Sequence, residues 1–373
     1  MLPEGWKLTS AGRECFSIVS GRNKPQEFSG NIPWITLPEI AGCYVPSYKQ
    51  TKYISKDTIQ KSGAKLVPQG SVVISIAGEL GLVAIAKSSV TLNQQLHAFV
   101  CKKSINNEFF AQYIRMQKNF LYQRASKTTI PYLNKENCES IPILLPPLPE
   151  QKKIAAILST WDRAIEGTER LLANSQKQKK ALMQQLLTGK KRLPDFAGEW
   201  AIKKLDDIAN IQTGSSNRQD ASSNGIYTFF DRSEEIRKSN RYLFDCEAVI
   251  VPGEGQNFIP KYFFGKFDLH QRTYAISGFR ECDGKFIFYL ISHNKAYFLA
   301  QAVGSTVKSL RLPMFQKMTL EFPPLPEQKA IAAVLTTADN EITTIEVDLA
   351  RLRQEKKALM QQLLTGKRRV TID

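Results

Sequence analysis

The chain has 373 residues, with 51 Lys and Arg against 35 Asp and Glu for a net charge of +16, and six cysteines. That length points to at least two apolar cores. The cysteines (Cys15, Cys43, Cys101, Cys138, Cys246, Cys282) stand singly, without a CxxC pair or a His at ligand spacing, which argues against a zinc site and a disulfide framework.

The first residues, MLPEGWKL, carry neither the basic nor the apolar segment of a signal peptide, and no apolar run approaches the roughly 18 residues of a bilayer span. A cytoplasmic protein with no membrane partner is expected. The natural counterparts of so much positive charge are phosphate backbones or anionic membranes, though a basic surface also serves simply to keep a chain in solution. The excess is uneven: residues 1–145 carry +8, 146–193 carry +6, and 194–322 and 323–373 carry +1 each.

Residues 1–145 have the texture of an α+β domain. Short β-rich runs, SVVISI (71–76), GLVAIA (81–86) and LHAFVC (96–101), are divided by turns and followed by one helical pattern at 108–125. The loops offer side chains able to pair with base edges or phosphates: Arg22 and Asn23, then Lys49, Gln50 and Lys52, then Asn93 and Gln94. Polar loops of this kind also cover ordinary solvated surfaces, so each residue is a candidate only.

Residues 146–193 read as one long helix with its flanks. Prolines in PPLPEQ open it, Glu150 lies in the first turn where the helix dipole favours an anion, and Thr188-Gly189-Lys190 closes it. The apolar positions Ile154, Leu158, Trp161, Ile165, Leu172, Leu182 and Leu186 alternate spacings of four and three when Thr168, Ser175 and Lys179 are counted. That is a heptad seam, and as a single helix from 150 to 187 it would be roughly 57 Å long.

Residues 194–322 form a second α+β domain, with strands expected at 247–252, 261–267 and 273–279 and a helix at 285–303. Its loop candidates are Asn217, Arg218, Gln219, Arg237, Lys238, Gln256, Asn257 and Lys261. Residues 323–373 then repeat 146–193 at a constant shift of 177, with 30 of 48 positions identical. The seam recurs as Ile331, Leu335, Ile342, Ile345, Leu349, Leu352, Leu359 and Leu363. The chain is thus a tandem duplication of a variable front and a near-constant back.

A lone helix with such a stripe would leave it in water, and the other copy is its natural cover. The copies could pair parallel or antiparallel, and the economy of a duplicated unit favours antiparallel, with a pseudo-two-fold relation between the halves. That register puts Lys356 opposite Trp161 and Lys179 opposite Ala338. Either the two lysines end the stripe, or their stems cover the seam while the ammonium reaches water over the indole face.

No G-x-x-x-x-G-K-[ST] loop, G-x-G-x-x-G turn, H-E-x-x-H or N-P-P-[YF]-like methylation motif occurs, and His97, His270 and His293 lie apart. His270 falls where the first copy has Asn93, which favours a structural or ligand-facing polar role over general-base work.

The order of elements resembles the DNA-specificity subunit of type I restriction-modification systems across essentially the whole chain. The residues carrying the likeness are LPEGW at the start, LNQQ (92–95), KTTIPYLNKENCESIPILLPPLPEQKKIA (127–155), LLTGKKRLP (186–194) and their second copies. The resemblance implies two target-recognition domains, each reading one half of a split site in double-stranded DNA. They would be joined by paired helices that set the gap and dock modification (methyltransferase) and restriction subunits. It implies no catalysis and no cofactor in this chain; S-adenosylmethionine, ATP and Mg would serve the partner subunits. The second copy departs from the pattern at Leu269-His270-Gln271 and Lys308-Ser309, which weakens transfer of single contacts. An interaction scaffold without DNA specificity, or a fused modification enzyme, would be the competing readings; the missing methylation motif and cofactor loop count against the enzyme.

Overall fold

In the computed structural model, residues 2–372 are described. The chain divides into two compact units: residues up to Arg170 with those from Glu346 onward, and Leu171–Ile345. The sequence boundaries at 145/146, 193/194 and 322/323 separate fronts from helices, whereas compactness cuts inside both helices. The reason is packing, since each front buries its apolar face against a stretch of both.

The first unit is built around a five-stranded sheet in the order Cys15–Ser20, Leu96–Cys101, Val72–Ser75, Val83–Ala86, Tyr44–Val45. Its central strands are buried on both faces, which is why they read as continuous apolar runs rather than alternating ones. Val72 and Ile74 face one core with Phe99, Phe109 and Phe110, while Val73 faces a second with Ala84 and Ala98. The strand Lys7–Ser10 pairs antiparallel with Pro142–Leu145, clamping the entrance of the front to its exit. Cys15 and Cys101, distant in sequence, are register partners and free thiols.

The second unit carries a six-stranded sheet, Asn210–Thr213, Thr273–Ser277, Phe244–Pro252, Lys261–Leu269, Tyr227–Phe230, Arg237–Ser239, and the clamp Ala201–Lys204 with Thr319–Phe322. The duplication extends to individual pairs. Val72 is registered with Phe99 and Ile85, and 177 residues later Val249 is registered with Ile276 and Tyr262. Fronts that share little sequence therefore share one frame.

The helical stretches 108–125 and 285–303 are each two helices rather than one: Asn107–Met116 and Lys118–Arg124, then Gly284–His293 and Lys295–Gln301. The break falls at Gln117 and Asn294, equivalent positions with φ near −80° to −90° and ψ near +15°. The first front also holds a three-stranded sheet (Tyr53–Ile54, Ile32–Ile35, Thr91–Leu92) and the helix Lys56–Ser62, capped by the Ser55 hydroxyl.

The long helices are continuous, Leu148–Leu186 and Leu325–Leu363, 39 residues each. Within the first unit they run antiparallel, because Asp162 meets Lys356 and Glu169 meets Arg353 in opposite chain order. In the second unit Ser175 meets Glu341 and Lys179 meets Asp339, again in opposite order. Ile154, Leu158, Leu349 and Leu363 are buried in the first unit, with Trp161, Ile165, Leu352 and Leu359 half-buried. In the second, Leu186, Ile331, Leu335 and Ile345 are buried, with Leu172, Leu182 and Ile342 half-buried. Each fully buried Ile or Leu contributes about 1.5–3 kcal/mol.

Lys356 neither ends the stripe nor reaches water: it is 8% exposed, and its ammonium lies 2.5 Å from Asp162, one residue beyond the expected Trp161. Lys179 likewise pairs with Asp339 rather than lying free opposite Ala338, and stacks over the ring of Tyr289 at 5.6 Å.

Candidate nucleic-acid interface and the helix junctions

Two kinds of polar site are built on this frame. The first kind joins helices to fronts. Asp162 accepts hydrogen bonds from Lys356 on the second long helix and from Gln112 and Arg115 on the front's helix Asn107–Met116. Burial works to raise the Asp162 carboxyl, but Arg115 and Lys356 outweigh it and hold the group below its ordinary range. In the second unit Asp339 accepts from Lys179 and from the Tyr289 hydroxyl at 2.7 Å, and burial together with this contact pushes the Tyr289 phenol up.

A second junction explains why PPLPEQ is spelled twice. Glu150, fully buried, takes two bonds from Arg369 (2.7 and 2.9 Å) and one from the Trp6 indole at 3.0 Å. Glu327 takes the same two-pronged grip from Arg192. The arginines stack over Trp6 and Trp200 at 5.9 and 5.7 Å. The next residue, Gln151, accepts from the Asn106 amide and donates to Pro146 O and Ser104 O; Gln328 accepts from the Asp283 amide and donates to Pro323 O. Asn106 and Asp283 are the N-caps of the two front helices, so Glu-Gln ties helix start, helix end and front together.

The second kind of site gathers loops. In the first unit Arg22 and Asn93 form a parallel bridge, and in the second Ser216 and His270 do the same. The first loop of each front thus crosses the same turn, closely enough that a Cβ on Gly21 or Gly214 would lie 1.7 Å from a backbone oxygen. The Asn93 side-chain oxygen accepts from Gln95 N at 3.2 Å; at the equivalent place His270 Nδ1 accepts from Arg272 N at 3.0 Å. His270 replaces Asn93 as a turn-closing acceptor, which requires neutral imidazole, and burial lowers its affinity for a proton.

The loop candidates fall into two groups. Asn23, Lys49, Gln94, Arg218, Gln219, Lys238, Gln256 and Asn257 are exposed, and Arg22 and Lys52 half-exposed. Others are committed within the fold. The Gln50 amide donates to Trp34 O and Lys52 O; Asn93 closes its turn. Asn217 accepts from Gln271, Arg237 pairs with Asp231 and Glu235, and Lys261 donates to Ser233 O.

Loop composition did not reveal Arg232, Arg241 and Arg272. Each is held by a buried acid of the second unit: Arg232 and Arg272 by Glu254, Arg241 by Asp268 at 3.5 Å. The signal would have been an acid in an otherwise apolar stretch, VPGEG or FDLHQ. Beside Glu254 a cavity of about 100 Å³ is lined by Arg232, Gln256, Asn257 and Lys261 among others. Among the described residues no cluster of His, Cys, Asp and Glu could hold a metal, and no helix is long and apolar enough to cross a membrane.

A frame used twice, with unlike polar loops on a like framework, defines a two-headed recognition protein. The chain belongs to the type I restriction modification DNA specificity domain family, whose model matches residues 3–174 and again 197–352. It is 26% identical over 418 residues to the type I restriction enzyme MjaVIII specificity subunit of Methanocaldococcus jannaschii, covering 99% of this chain and 94% of that one. To the EcoDI specificity subunit of Escherichia coli it is 29% identical over 167 residues, 45% of this chain and 37% of the other. The fold is similar to the crystal structure of the type I restriction-modification S subunit from M. genitalium, with a TM-score of 0.70 at 13% identity over 98% of both chains.

Proposed function

We propose that this chain is the DNA-specificity subunit of a type I restriction-modification complex and reads a split, asymmetric site in double-stranded DNA. One observation carries the reading: the specificity-domain model matches both copies of the frame, while the loops at the equivalent end of each copy differ. Two unlike heads call for two unlike half-sites with an unread gap. Exposed Arg, Lys, Asn and Gln at those loops suit base edges and phosphates, and the net charge of +16 suits the duplex. The chain supplies recognition and no catalysis. Methyl transfer from S-adenosylmethionine and ATP- and Mg-dependent cleavage belong to modification and restriction subunits docked on it in the cytoplasm.

Genome-wide mapping of methylated bases with and without this gene tests the reading. The expected result is one bipartite motif that vanishes with the gene. A methylome that stays the same in its absence would refute it. If the paired helices set the gap, four residues added to both copies, about 6 Å of helix, lengthen the gap and leave the half-sites alone.

A further inference from the structure

We propose that Arg232 and Arg272, clamped by the buried carboxylate of Glu254, are specificity-determining residues that read a guanine in the half-site of the second unit; this rests on the function proposed above. Glu254 is buried, while the side chains of Arg232 and Arg272 are 47% and 61% exposed. One carboxylate therefore fixes two guanidinium groups from below and leaves their outer N–H groups facing solvent.

Each guanidinium is tethered by one N–H to Glu254, which restricts both side chains before any ligand arrives. The planar fork of a fixed arginine matches the O6 and N7 acceptors of guanine, whereas a phosphate grip needs only charge. Exposed Gln256 and Asn257 share the adjoining cavity, and the turn bearing Arg272 is closed by His270. Two further buried acids act alike at neighbouring loops: Asp231 holds Arg237 at 3.0 Å, and Asp268 holds Arg241.

Among the described residues the clamp is found in one head. At the equivalent positions the first unit has Ala77 for Glu254 and Gln95 for Arg272, and the Gln95 side chain accepts from Asn93. Reading through the clamp is thus a property of a single half-site.

The test uses the full chain assembled with its modification subunits and reads the methylated motif. Arg272→Ala and Arg232→Ala are expected to lower preference for guanine at one position of one half-site by about tenfold to hundredfold, leaving the other half-site and the gap unchanged. Arg272→Lys keeps the charge and the fold but not the fork, so relaxation in that variant too supports base reading. A double variant with both half-sites intact would overturn the proposal. So would one whose DNA affinity falls equally on all sequences with a shallower salt slope, because that is the behaviour of a phosphate contact. A wild-type complex without any bipartite motif would instead sink the function on which the proposal stands.

Discussion

Glu150, in the first turn of one long helix, and Arg369, just past the end of the other, are joined by two hydrogen bonds of 2.7 and 2.9 Å in the first unit. The carboxylate is wholly buried and the guanidinium 43% exposed, and among the described residues Glu150 pairs with no other cation. Arg369→Ala strands the buried carboxylate of Glu150 and should lower stability. Arg192→Ala should do the same through Glu327. Urea midpoints measure both, and Glu150→Gln combined with Arg369→Ala should cost less than the two single changes added together.

Removing Asp162 should hurt more than removing its partner on the other helix. Asp162→Asn leaves Lys356 and Arg115 facing each other without an anion, a loss of about 3 kcal/mol or more, whereas Lys356→Met fills the seam and leaves Asp162 with Arg115 and Gln112. Because the folded-state affinity of Asp162 for a proton is lowered, its contribution is complete above the unfolded carboxylate value near 4 and is lost as pH falls below it. Stability measured between pH 7 and pH 3 should drop more steeply in the wild type than in Asp162→Asn. Equal slopes would mean the junction contributes nothing.

A methyl group at Gly214 has nowhere to go, since it would meet the Leu269 carbonyl at 1.7 Å. Gly214→Ala should displace the loop carrying Asn217 and Arg218 and cost about 3 kcal/mol. Under the proposed function it should blur the second half-site only. Gly21→Ala should blur the first only, and a methylome in which either change affects both halves would contradict independent heads.

The junction residues are the same in both copies, Glu150 and Glu327, Arg192 and Arg369, Asp162 and Asp339, Lys179 and Lys356. A fragment of residues 1–193 therefore carries both sides of each contact. It should associate in pairs, Arg192 of one copy meeting Glu150 of the next, with a doubled mass by light scattering. Arg192→Ala should return it to single chains.

The sequence made the frame legible where one physical signal dominated. Proline, heptad and glycine fixed the long helices to within two residues, and continuous β-branched runs marked the strands around Val72 and Val249. It hid what depends on a third element. Asp162 and Asp339 sit one place off the apolar stripe, where a charge normally faces water; a front helix bearing Gln112 covers most of Asp162, and one bearing Tyr289 covers part of Asp339. Gln50 reads as a solvent-facing amide until Trp34 places a carbonyl beside it. The helix breaks at Gln117 and Asn294 lack glycine or proline and were invisible to local pattern.

The entrance strands of the two fronts correspond at an offset of 194 residues, the next strands, Cys15–Ser20 and Asn210–Thr213, at 193, and the exit and central strands at 177, so nearly all of the change falls between the bridges at Arg22 and Ser216 and the strands at Val72 and Val249. Nearly all the difference in size is hung at one point, after the first loop is anchored and before the central strands begin. A molecule made this way can gain or shed a block of chain at that point while the struts beneath it are inherited intact.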